Sequence, residues 1–244
     1  MITTYIDGRT TITTSGSSVI VVNGRVFSNT PGAYGDVEEN RSVSNFTGIN
    51  AFGAFEITVV KGSTVSLTIK ANDYVIPYVR SEVKNGMLYL NLHENAPDSV
   101  YNRIVKVTVT MKDLDNISLL GVCKITSNDL FTPKSFIGVC RGFSSINIKL
   151  NVNGDTRMNV SGLSEIDLVG STRNLTIYAS GSSDFIAKDF IAGTAIVNSS
   201  GNSDVSVNVT NTLIVNSSGN STVNYKGSPA ITINKTGNST VRKI

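Results

Sequence analysis

The chain has 244 residues, 40% of them hydrophobic and 16% charged, which is enough apolar content to fill the core of a single all-β domain. Lys and Arg total 21 against 18 Asp and Glu, and the resulting net charge of +3 is scattered, so no nucleic-acid footprint is indicated. No apolar run reaches the roughly 18 residues of a membrane span, and two cysteines outside any CxxC or metal spacing exclude a disulfide scaffold.

Residues 1–40 are rich in Thr, Ser and Gly, with Asp7-Gly8 and Asn23-Gly24 turn signals around VIVV, which predicts an appended β-hairpin or arm. The opening MITTYIDGRTTITTSGSS lacks the basic-then-apolar order of a signal peptide, so the sequence favours an intracellular or phage-borne protein and leaves its address unknown. Residues 41–115 are strand-like. AFEITVV, STVSLTI and IVKVTVTM alternate apolar with polar residues, and Asn85-Gly86 sits between VRSEV and MLYLNL as a two-residue hairpin turn. This part is expected to close the N-terminal end of the remaining chain.

Residues 116–244 form a repeat. Gly121, Gly142, Gly162, Gly181, Gly201, Gly219 and Gly237 recur at intervals of 18 to 21 residues, most of them inside SGxS-like phrases. Two residues after each Gly stands something small: Cys123, Ser144, Ser164, Ser183, Ser203, Ser221 and Ser239. Four after it the residue is always apolar: Ile125, Ile146, Ile166, Phe185, Val205, Val223 and Val241. Even offsets are small or apolar and odd offsets mostly polar, the period of strands with one face inward. Each unit therefore reads as strand, Gly-centred corner, strand and second turn, the last often marked by Gly154, Gly170, Gly193 or Gly227. Such a unit cannot bury its inward face alone, whereas stacked units bury a continuous column, so the predicted fold is an all-β parallel β-helix or solenoid, continuous with 41–115.

At the corner, Gly provides positive φ or close approach, and the small residue after it fits a tight bend. Asn159, Asn198, Asn216 and Asn234 each stand three before a corner Gly and are expected to stack as an Asn ladder. The last coil runs only to VRKI, which leaves its edge open to pairing.

The combination of RSVSNFTGINAFGAFEITVVKGSTVSLTIKANDYV, VRSEVKNGMLYLNL and IVKVTVTMKDLDNISLLG with the serial SGxS phrases resembles the autotransporter-adhesin head family, the head GIN domain, over about residues 41–244. The resemblance implies a right-handed, pectin-lyase-like β-helix without a catalytic set, with adhesion as its role and trimers as its assembly. It also implies export, which the N-terminal sequence does not match.

Three side-chain groups carry candidate chemistry. Glu165, Asp184 and Asp204 stand three past consecutive corner glycines, a spacing that would place neighbours close to the roughly 5 Å of a retaining glycosidase pair or begin a cation site. Against that, odd offsets face solvent, and the same column begins with Lys124 and Ser145 and ends with Thr222 and Thr240. Ile137, Ile196 and Ile214, five before their glycines, break the polar rule with Tyr178 nearby and form a candidate oligomer seam. His93, the single histidine, lacks the partners of a zinc or acid-base site and reads as a loop residue, while Cys123 and Cys140 read as core fillers.

These readings point to a non-enzymatic, adhesin-like binding protein that needs no cofactor and inserts in no membrane. Its expected partners are itself, as a homo-oligomer with a trimer favoured, and a carbohydrate or surface protein. A scaffold polymerising through the C-terminal coil is the first alternative, and a glycan-active enzyme using the carboxylate row is the second.

Overall fold

The computed structural model describes residues 35–101 and 103–244 throughout, together with the backbone of four strands between residues 2 and 28. Those four, β1 (Ile2–Ile6), β2 (Arg9–Thr14), β3 (Ser17–Val22) and β4 (Arg25–Ser28), form an antiparallel meander in chain order. The turns expected at Asp7-Gly8 and Asn23-Gly24 lie outside the described residues. The next strand, β5 (Asp36–Arg41), crosses the boundary expected at residue 40, because it pairs with the larger sheet system of the rest of the chain.

That system continues with β6 (Gly48–Gly53), β7 (Phe55–Lys61) and β8 (Ser66–Asn72). A 3-10 turn at Ile76–Tyr78 leads to β9 (Val79–Lys84) and β10 (Met87–Leu92). The β9–β10 connection is the expected hairpin, with Asn85 and Gly86 both at positive φ, 52° and 73°. A four-residue helix, α1 (Asp98–Tyr101), precedes β11 (Val105–Met111). His93 lies in the loop between β10 and α1.

From β12 (Asn116–Gly121) onward the repeat is continuous through β13 (Lys124–Phe131), β14 (Phe136–Gly142), β15 (Ser145–Gly162) and β16 (Glu165–Ala179). It ends with β17 (Asp184–Ser199), β18 (Asp204–Ser217), β19 (Thr222–Lys226), β20 (Ala230–Lys235) and β21 (Thr240–Lys243). Corresponding strands pair in parallel from coil to coil, giving a β-solenoid of about six turns. Chain order and stacking order differ at the start: β6 lies between β10 and β12, so the coil made by residues 87–111 is outside the coil made by 48–61.

The inward positions are those that the even offsets specify. Ile125, Ile146, Ile166, Phe185, Val205 and Val223 are buried, each adding about 1.5–3 kcal/mol for the larger side chains. Phe131, Phe136 and Phe190 are fully buried in the same core. The second turn differs from expectation. In β15 to β18 the strand runs through it without a break, so the turn is a bend with a register shift rather than a loop, and Gly154 and Gly193 keep ordinary backbone. Inward residues on both sides of the bend are enough to close the coil there.

The Gly corner combines both properties expected of it. Gly142 and Gly201 have φ of 84° and 73°, and a Cβ on them would stand 2.6 and 2.7 Å from the carbonyl oxygens of Gly121 and Gly181 in the preceding coil. Those carbonyls accept from the next coil, as Asn202 N–H donates to Gly181 O at 2.7 Å. Any side chain would therefore push the coils apart where they hydrogen-bond. The small residue two further on seals the corner: Ser144 Oγ donates to Gly121 O at 3.1 Å and accepts from Cys123 N–H at 3.1 Å. Ser183 and Ser203 hydroxyls, equally buried, have no partner among the described residues, so the corner selects Ser for its size there and tolerates a cost of about 1–3 kcal/mol.

Candidate functional site

Parallel registry turns each outward offset into a column running along the solenoid, with steps of roughly 4.8 Å. The column three residues before the corner reads Val139, Asn159, Tyr178, Asn198, Asn216 and Asn234. The expected Asn ladder exists in its last three members. Asn234 Nδ2 donates to Asn216 Oδ1 at 3.0 Å, Asn216 Nδ2 donates to Asn198 Oδ1 at 3.0 Å, and Asn198 Nδ2 donates to the Ile177 carbonyl at 3.3 Å. Every amide points its bond the same way, so the bonds polarise one another. Tyr178 separates Asn159 from the ladder, since it occupies the intervening coil.

Beside the ladder, one before the corner, stand Ser180, Ser200, Ser218 and Thr236. Together with Lys235 and Ile233 these two columns line an open groove of about 940 Å³ that crosses four coils. Tyr178 closes one end of it. The Arg157 guanidinium lies over the Tyr178 ring, 5.1 Å from its centre, with Nη2 3.4 Å from the phenol oxygen, and Arg157 itself is not part of the lining. Arg157 thus braces the ring.

The other predicted groups fall elsewhere. Ile137, Ile196 and Ile214 share the column five before the corner, where Ile196 and Ile214 are adjacent and half-buried, but Arg157 and Thr176 separate them from Ile137. Tyr178 belongs to the neighbouring Asn column instead. Glu165, Asp184 and Asp204 are register neighbours at the starts of β16, β17 and β18, and all three are exposed. Among the described residues none of these carboxylates has a hydrogen-bond partner, and no group of three or more His, Cys, Asp or Glu side chains converges on a metal-sized site. Cys123 and Cys140 are buried free thiols. Burial pushes both up in pKa, Cys140 to about 12, with the Ser164 hydroxyl opposing the shift.

Sequence reasoning missed the groove. Its signal was present, because Tyr178 stands three before Gly181, the offset of the asparagines, and Ser or Thr recurs one before each late corner. Lys235 and the exposed side of Ile233 carried no comparable signal.

Fold and surface define a parallel β-solenoid whose outward columns form a repetitive polar face. The chain belongs to the family described as putative auto-transporter adhesin, head GIN domain, whose model matches residues 45–229. Among solved structures it is similar to a putative adhesin from Bacteroides fragilis, with 21% identity, a TM-score of 0.80, and 86% of this chain and 97% of that one covered. Putative adhesins from Parabacteroides distasonis and Parabacteroides merdae are similar too. The first has 17% identity, a TM-score of 0.65, and coverage of 87% and 98%; the second has 14%, 0.61, and 86% and 96%. No curated protein matches the sequence.

Proposed function

We propose that the protein is a non-catalytic adhesive module that uses the solenoid as a rigid rod and the ladder groove as its attachment surface. The observation carrying this reading is that one polar groove is built from the same two offsets on four successive coils, with its amides already held by one another. Pre-held donors and acceptors lose little entropy on binding. Family membership agrees with the adhesive role. Self-association, with a trimer favoured, runs through the Ile196–Ile214 pair, which would multiply weak attachments by avidity.

Beads coated with the folded full chain should attach to mucin or epithelial surfaces, and beads coated with heat-unfolded chain should not. Equal attachment by both overturns the reading. For the seam, Ile196→Asp with Ile214→Asp should reduce the mass measured by light scattering to that of one chain, and an unchanged mass removes the seam.

A second reading, an end-to-end scaffold, is favoured by the last coil. Among the described residues β20 pairs with β18 alone and β21 with β19 alone, and four cations, Lys226, Lys235, Arg242 and Lys243, stand there without an acidic residue after Asp204. The opposite end carries the net-acidic strand β5, where Glu39 pairs with Arg41, Asp36 with Lys70, and Glu38 adds a further negative charge. Head-to-tail copies would join unlike charges. Mass that grows without limit as concentration rises supports this scaffold, and a fixed mass removes it.

A further inference from the structure

We propose that the groove between Tyr178 and Lys235 binds a linear, neutral oligosaccharide laid along the solenoid axis, an inference that rests on the adhesive reading and names its ligand. The lining is chemically biased. Asn198, Asn216, Asn234 and the adjoining hydroxyls offer many donors and acceptors and no carboxylate, whereas a protein-binding patch has an apolar centre with aromatic and Arg anchors. Its periodicity matters as much as its polarity. A groove that repeats the same amide and hydroxyl every roughly 4.8 Å suits a polymer that also repeats its hydroxyls, and suits a folded protein surface poorly.

Asn198 and Asn216 each spend one N–H and one oxygen lone pair on the ladder and the Ile177 carbonyl, and Asn234 spends one N–H, so every amide keeps an N–H and at least one lone pair for a ligand. Tyr178 provides what the amides lack. Tyr178 is 40% exposed, lines the groove, and has its ring held by Arg157, which is not part of the lining, so it is a fixed apolar surface for the C–H face of a sugar, with the phenol as a polar tip. Lys235, at the far end, adds a donor for a hydroxyl or ring oxygen. The ligand therefore stacks at one end, is hydrogen-bonded along its length, and crosses the coils.

The test measures binding of the full chain to immobilised glucan, chitin and mannan hexasaccharides, comparing wild type with Tyr178→Ala, Tyr178→Phe and Asn216→Ala. Saturable binding to at least one sugar is expected, about tenfold weaker or worse in Tyr178→Ala, weaker in Asn216→Ala and largely kept in Tyr178→Phe, tenfold corresponding to about 1.4 kcal/mol. Tyr178 is exposed, so its variants should keep the wild-type circular dichroism. No binding to any of the three sugars, or equal binding by wild type and Tyr178→Ala, overturns the proposal. Bead attachment to mucin separates the two readings. Attachment that persists unchanged in Tyr178→Ala and in excess hexasaccharide removes the sugar groove and leaves adhesion standing, whereas wild-type beads that never attach remove adhesion itself.

Discussion

The two ends of the solenoid are finished in opposite ways. At the N-terminal end, the outermost parallel coil, β10 and β11, is covered by antiparallel β9 and β8, and β8 in turn by β5. The 3-10 turn and α1, with the loops beside them, contribute Val75, Ile76, Ala96 and Val100 to the core. Arg41 fastens the outer strand, donating through Nη1 to Val79 O at 2.6 Å and through Nη2 to Glu39 at 2.9 Å. Among the described residues the edges that remain are β5 and β9, and the charges on both, Asp36, Glu38 and Glu39 on the one and Arg80, Glu82 and Lys84 on the other, discourage further strand pairing. At the C-terminal end the inward positions continue but nothing covers them among the described residues. Ile231 and Ile233 are 37% and 44% exposed, while their register partners one coil earlier, Leu213 and Val215, are fully buried. An inward side chain in a solenoid is buried by the coil below and the coil above, so the same sequence rule yields a core residue mid-column and an exposed one at the end.

The sharpest way to break this contrast is at the corners. Gly201→Val adds a branched side chain at positive φ and directs its Cβ toward the Gly181 carbonyl, so a loss on the order of 4 kcal/mol is expected in denaturant unfolding. Gly86→Ala, in the N-terminal hairpin, meets nothing within 4 Å and should lose only about 1 kcal/mol of backbone preference. Equal losses would mean that the corner stack contributes nothing beyond its φ.

The next test compares register partners. Leu213→Ala should cost about 2–5 kcal/mol, and Ile231→Ala less than about 1 kcal/mol, since the second leaves little cavity. A comparable cost at Ile231 would show that another copy covers the end in solution, and its concentration dependence would identify the scaffold reading.

The smallest effect is a slope with pH. The Cys140 thiol ionises at about 12 in the folded column against an ordinary 9.0, mainly because it is desolvated. Below pH 9 both folded and unfolded chains keep the proton, and stability is unaffected. Above it the unfolded chain releases the proton and the folded chain keeps it, so stability falls as the pH rises from about 9 toward about 12. Cys140→Ala should remove that part of the slope in urea unfolding at pH 8 to 10; an unaltered slope would assign it to other groups.

The groove shows where sequence reasoning reached and where it stopped. The Asn ladder follows from offset alone, because parallel in-register strands put equal offsets side by side. Tyr178 has the same offset but a different residue type, so reading it by hydrophobicity, as a neighbour of the Ile196 and Ile214 column, left its place in the Asn column unnoticed. The carboxylate row is likewise in register as spaced. Its exposure, expected from its odd offset, leaves Glu165, Asp184 and Asp204 without a dry acid-base environment.

By itself the sequence determined the coil: its length, its Gly corner and the inward alternation are local, fixed by backbone sterics and the period of two. Only the tertiary structure decided the order of the first two coils, the continuous bend that replaces the second turn, the carbonyl that excludes a Cβ at each corner, and the width of the groove. Each of these depends on contact with a neighbouring coil about twenty residues or more away in the chain. Periodicity announces that coils stack, but the partner of each surface is set by where the stack begins and ends.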